Sequence, residues 1–292
     1  MQATPPLPPP PPPPPQPGAE YFSWDYRLAL ICLACAFYAA VFLLCHILSA
    51  VLSRTYKSLL TREKVFWNLA ATRAAFGIQS TVAGLRALTG GSVLNTDRVT
   101  GQEDWSWFNI LTATGFFVFE NLSFHTSNVI FMSFDVKLAT HHFFALLGYA
   151  GLVVCDSVGH YMPMVVLLME MSTPFTCVSW VLLKAGLSRT RFWRANQWLM
   201  IHAFHCRMVI TYYIWWFIWN HWKEMSKHVA LPLCVIFFTG LALLTFIINP
   251  IWTHKKTMQL LNPVDWNCIG TPTMANGTEK GQSVASVKPH TS

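Results

Sequence analysis

Apolar residues fall into seven runs separated by short polar or basic stretches. The runs lie at roughly 28–52, 66–88, 107–131, 136–154, 161–183, 193–219 and 230–251. Each is close to the ~20 residues that an α-helix needs to cross the hydrocarbon core of a bilayer. The run 66–88 is the least apolar, because it carries Arg73, Gln79 and Arg86. The pattern predicts an all-α integral membrane protein of seven transmembrane helices.

Charge between the runs supports that count and orients it. Arg54, Lys57, Arg62 and Lys64 follow the first run, Lys137 the third, and Lys184, Arg189, Arg191 and Arg194 the fifth; His254, Lys255 and Lys256 follow the seventh. The alternate loops are poorer in net positive charge: Arg98 faces Asp97, Glu103 and Asp104, then comes Asp156, then Lys223 and Lys227 with Glu224. Basic loops stay in the cytosol. The N-terminus is therefore expected in the lumen and the C-terminus in the cytosol.

The division that follows has four parts. Residues 1–25, with an almost unbroken proline tract at 5–17, read as a disordered lumenal tail. Residues 26–53 hold the first transmembrane helix, 62–263 a body of six more, and 264–292 a polar, disordered cytosolic tail.

Composition narrows the class. Of 292 residues, 53% are hydrophobic and 11% charged, whereas a soluble domain carries about a quarter charged residues. The net charge of +7 is scattered over loops and forms no single patch, so no nucleic-acid partner is expected. Six of the cysteines, Cys32, Cys35, Cys45, Cys177, Cys206 and Cys234, sit inside apolar runs, where a thiol behaves as a small hydrophobe.

Polar residues inside the runs carry the candidate chemistry. His141 and His142 adjoin in LATHHFFALLGYAGLVV. An ionisable side chain in hydrocarbon costs about 2.5–3.5 kcal/mol on insertion scales, so the pair implies a polar interior. Adjacent helical residues point about 100° apart, so at most one of the two aims straight into a central cavity. A neutral imidazole there would serve as general base. Thr114, Asn121, His125 and Asn128 share one helical face, with Glu120 beside it. His202, His205 and Tyr212 share another, and Arg207 is turned about 140° from His202. Arg73, Gly77, Ser80 and Gly84 form a stripe whose small members permit close helix approach. Glu170, Pro174 and Cys177 share a face, and Pro174 should interrupt its helix.

The bland reading of each stands beside these. Asn121, Asn128, Ser80 and Thr114 suit interhelical hydrogen bonding. Arg73 and Arg207 suit ion pairs with Glu120 or Glu170. His202 and His205 suit either core bonding or site lining. The spacings that would hold a metal on several helices are missing, and no metal site is expected.

The stretch 64–267, with the two residues just before it, contains REKVFWNLAATRAAFGIQST, EMSTPFTCVSWVLLKAG, NQWLMIHAFHCRMV and INPIWTHKKTMQLLNPVDWN. It resembles the TLC (Tram, Lag, CLN-eight) domain family. The resemblance implies residence in the endoplasmic reticulum, cycling to the ER–Golgi intermediate compartment, and a role in making, sensing or moving lipids. It implies a six-helix barrel from spans two to seven, with span one outside. The ceramide synthases of this family transfer acyl groups from acyl-CoA and carry an adjacent His pair, which His141-His142 matches. They also carry two Asp, whereas LLMEMSTPF offers only Glu170. Ceramide synthesis itself is thus disfavoured.

Acyl transfer onto a glycerolipid hydroxyl is the expectation, with His141 or His142 as base. His125, Asn121, His202, His205, Glu170, Arg207, Glu120 and Arg73 would line or orient the site. No bound cofactor is expected, acyl-CoA being a co-substrate and membrane lipids the partners. The resemblance also implies an alternative without catalysis: an endoplasmic-reticulum-to-Golgi cargo receptor for lysosomal enzymes, working with the export machinery, or a lipid sensor supporting lysosome biogenesis.

Overall fold

The computed structural model describes residues 19–188 and 190–263. The proline tract and the tail 264–292 lie outside the described residues. Among those residues every regular element is helical. The order is α1 (Trp24–Leu52), α2 (Arg54–Ser58), α3 (Thr61–Thr89), α4 (Val93–Thr96), α5 (Asp104–Ile130), α6 (Val136–Val154), α7 (Tyr161–Leu167), α8 (Thr173–Lys184), α9 (Arg191–His228), α10 (Leu231–Leu243) and α11 (Asn249–Leu261). A 3-10 turn, Ala19–Phe22, precedes α1. A 3-10 segment, Leu168–Ser172, joins α7 to α8, and a π segment, Leu244–Ile248, joins α10 to α11.

Each apolar run thus corresponds to a helical rod. Three rods, Trp24–Leu52, Tyr161–Lys184 and Leu231–Leu261, are long and apolar enough to cross a membrane. The α3, α5, α6 and α9 rods miss that composition because polar residues are built into them. The rod α9 exceeds the predicted 193–219. It starts where the Thr190 side chain caps Trp193 N, and no glycine or proline stops it before Pro232. At the α-helical rise it is about 57 Å long, well beyond a hydrocarbon core of about 30 Å.

Neighbouring rods form a cycle. The α3 rod packs on α5, α5 on α6, α6 on α10, α11 on α9, and α9 on α8, which returns to α3. Outside this cycle α1 lies against α5 and α3. Glycines set two of the close approaches. A Cβ on Gly77 would lie 2.7 Å from Pro174 Cδ, and one on Gly84 2.5 Å from Leu168 Cβ. The small-residue stripe of α3 therefore presses on the α7–α8 rod, as its spacing predicts. Pro174 sits in the first turn of α8. The Glu170 carbonyl, four residues earlier, accepts instead from Thr173 N in the 3-10 segment.

Large apolar side chains crowd the outside. Leu43, Leu44, Ile47, Val51 and Leu52 of α1 and Val209, Trp216 and Trp219 of α9 are exposed. So wide an apolar surface suits contact with lipid and not with water.

The expected disordered tail 1–25 is ordered where it is described. Arg27, fully buried, donates to the backbone oxygens of Tyr21 at 2.5 Å and Val153 at 2.7 Å. It also pairs with Asp156 at 2.6 Å, and its guanidinium lies 4.6 Å from the Trp107 ring. One cation thereby ties residues 19–27 to the ends of α5 and α6.

Candidate functional site

The rods α5, α6, α7, α9 and α10 line a cavity. Its non-atom space amounts to about 900 Å³, part of it open to the surroundings. Most of the wall is apolar, including Phe117, Phe144, Met162, Ile214, Ile218 and Phe237. Polar groups gather at one end: His141, Glu170 and Arg207.

Each of these three is held by its local chain. The Asp135 carboxylate caps α6 by accepting from Lys137 N and Leu138 N, which starts the helix five residues before His141. His141 Nε2 then lies 3.7 Å from Glu170 Oε1, too long for a hydrogen bond yet close enough for attraction. Glu170 Oε2 accepts from the Thr173 hydroxyl at 2.6 Å. Arg207 Nη1 donates to Ser172 Oγ at 3.0 Å. Its buried Nε and Nη2 have no hydrogen-bond partner within the described residues. Trp252 covers the same end, its ring 5.5 Å from that of His141 and 5.6 Å from the Arg207 guanidinium.

His142 faces away from the cavity, in keeping with the angle between neighbouring helical residues. Its Nε2 lies 3.5 Å from Glu120 Oε1. Arg73 donates to that same oxygen, from Nε at 2.9 Å and from Nη2. This buried Arg73–Glu120–His142 group adjoins the cavity but does not line it. Asn121 stands between α5 and α6. Its amide donates to the Phe117 carbonyl at 2.8 Å and the His142 carbonyl at 3.1 Å.

Other predicted site residues stand apart. His202 and His205 are exposed on the outer face of α9. His202 stacks near Trp198, and His205 Nδ1 meets the Ile201 carbonyl at 2.8 Å. Their expected share in lining the site is not met: the face of α9 that turns inward carries Arg207, and 140° of helix separates it from His202. His125 is half-buried between Phe124 and Phe134, outside the cavity wall. The expected pairing of Arg73 with Glu120 is present, whereas the direct bond from Arg207 goes to Ser172. Sequence reasoning missed Ser172, Thr173 and Trp252. The first two were open to detection, as hydroxyls flanking an intramembrane carboxylate. Trp252 gave no signal, since tryptophans occur in many of the apolar runs.

Comparison with known proteins defines the class. The TLC domain family matches residues 67–256, well over half of the chain, and the chain belongs to that family. It is similar to Protein CLN8 of Homo sapiens, 56% identical over 270 residues, covering 92% of this chain and 94% of that protein. It is likewise similar to Protein CLN8 of Rattus norvegicus, 59% identical over 248 residues, covering 85% and 86%. Protein CLN8 of Mus musculus is 57% identical over 248 residues, with the same coverage. No solved structure matches.

Proposed function

We propose that this protein is an acyl-CoA-dependent acyltransferase of the endoplasmic-reticulum membrane, acting on a hydroxyl of a glycerolipid. In this reading all seven rods cross the bilayer, the cycle of rods two to seven is the family's barrel, and the C-terminus faces the cytosol. The observation that carries the reading is a largely apolar cavity with His141, Glu170 and Arg207 at one end. That arrangement suits an acyl chain whose reacting carbonyl lies at the polar end.

The chemistry follows from the three side chains. Glu170 faces the Nε2 edge of His141 at 3.7 Å, leaving Nδ1 to accept the proton of the acceptor hydroxyl. The hydroxyl oxygen attacks the thioester carbonyl carbon. Arg207, with two unpartnered N–H-bearing nitrogens, stabilises the charge that builds on the carbonyl oxygen. Collapse breaks the carbon–sulfur bond, and the His141 proton passes to the departing CoA thiolate. His141 lies near the start of α6, beside Lys137. The positive-inside assignment puts that end toward the cytosol, where CoA is supplied.

The test uses purified protein with labelled acyl-CoA and a panel of lysolipids. His141→Ala is expected to lower turnover about 10²–10⁴-fold, the usual worth of general acid–base catalysis. His202→Ala, on the outer face, should turn over like the wild type. Equal turnover in His141→Ala and wild type would remove the catalytic assignment.

The cargo-receptor reading draws support from one feature. The stretch between α3 and α5 is an ordered surface: Gln102 donates to the Asp156 and Val158 carbonyls, and Gly159 N and His160 N donate to the Val99 and Gly101 carbonyls. Such a surface could hold a lumenal partner without any chemistry at His141.

A further inference from the structure

A second cavity abuts the first. Its non-atom space amounts to about 580 Å³, part of it open to the surroundings, and Arg98, Trp222, Val229 and Cys234 stand on its wall. Three residues belong to both walls: Met162 of α7, Ile218 of α9 and Phe237 of α10. They stand at the end of the first cavity away from His141. Along α9, Arg207 and Ile218 are separated by about 16 Å at the helical rise. A chain anchored by its carbonyl beside Arg207 and lying along α9 would therefore meet this wall with its far end.

We propose that Met162, Ile218 and Phe237 set the length of the acyl chain this protein accepts. The inference rests on the acyl-binding reading of the first cavity. Short chains end before the wall. Longer ones must displace it and enter the second cavity.

The three side chains differ in how readily they yield. Met162 is unbranched and flexible, which suits a side chain that moves aside. Ile218 is β-branched, buried and fixed on α9. The Phe237 ring lies over Gly148, where a Cβ would sit 3.7 Å from the ring edge. Its room to swing comes from a glycine on the facing helix. Beyond the wall the lining stays mainly apolar, Arg98 apart, which suits hydrocarbon.

The experiment measures chain length twice on the full protein purified in nanodiscs. Native mass spectrometry identifies the acyl chains that the protein retains. Competition among acyl-CoAs of graded length reads the chains that it transfers. Met162→Ala and Phe237→Ala are expected to shift both distributions to longer chains. Ile218→Phe is expected to shift them to shorter ones. Val235→Ala, exposed on α10, should leave both unchanged. Thermal melting confirms that each variant is folded. A retained-chain shift in a protein without transferase activity would uphold the wall and remove the proposed reaction. Transfer that continues with unchanged chain preference in folded variants would overturn the wall and spare the reaction. Absence of any retained or transferred acyl chain would overturn the wall as well.

Discussion

Arg73 Nε meets Glu120 Oε1 at 2.9 Å inside the helical bundle, where the Glu120 side chain is fully buried. The contact joins α3 to α5. It also supplies the polar surroundings against which His142 packs. Removing one partner of such a pair leaves an uncompensated charge, a loss of about 3–5 kcal/mol. Arg73→Leu and Glu120→Leu are each expected to lower the melting temperature of the purified protein sharply. The double variant, with neither charge left, should melt above both single variants. Wild-type melting in either single variant would refute the pairing.

Gly84 faces Leu168, the first residue of the 3-10 segment that carries Glu170. A Cβ at Gly84 would lie 2.5 Å from Leu168 Cβ and 2.9 Å from its Cα. Backbone atoms cannot swing aside as a flexible side chain can. Gly84→Ala should therefore push the segment away from α3, at a cost of about 1–3 kcal/mol for overpacking. The same shift would carry Glu170 away from His141. The expected result is a lower melting temperature together with reduced turnover in the proposed acyl transfer. Gly91→Ala meets nothing within 4 Å and serves as the control. Equal melting of the two variants would contradict the packing described.

The helical architecture was legible because its cause is periodic: apolar runs near bilayer length mark the rods. The stripe Arg73, Gly77, Ser80 and Gly84 also declared its packing role, since only small residues at that spacing allow contacts as close as Gly84 to Leu168. The site was legible in part. His141 and His142 stood out as ionisable groups in hydrocarbon, and helical geometry required them to diverge. Which one enters the cavity depends on how α6 is rotated, and no single-chain periodicity sets that rotation. The same limit misplaced His202 and His205. Their spacing gives them a common face but does not say that the face turns outward. Arg27 was hidden for another reason: its partners Tyr21, Val153 and Asp156 come from three segments of the chain.

His160, just ahead of α7, predicts how the protein responds to acid. Its Nδ1 lies 2.8 Å from Ser106 Oγ, and its ring stands edge-on to Trp107 at 4.6 Å. Burial, helped by the nearby Arg27 cation, holds its pKa down to about 3 from 6.5. The folded protein thus keeps His160 neutral where the unfolded chain would protonate it. The unfolded state binds the extra proton between pH 6.5 and about 3. Stability from this residue is therefore complete above pH 6.5 and falls with pH down to about 3, by about 1.4 kcal/mol per unit. Melting temperature measured across that window should decline for the wild type. His160→Gln keeps a hydrogen-bonding group near Ser106 but cannot be protonated, and its decline should be shallower. Parallel pH profiles for the two proteins would show that His160 does not govern the acid response.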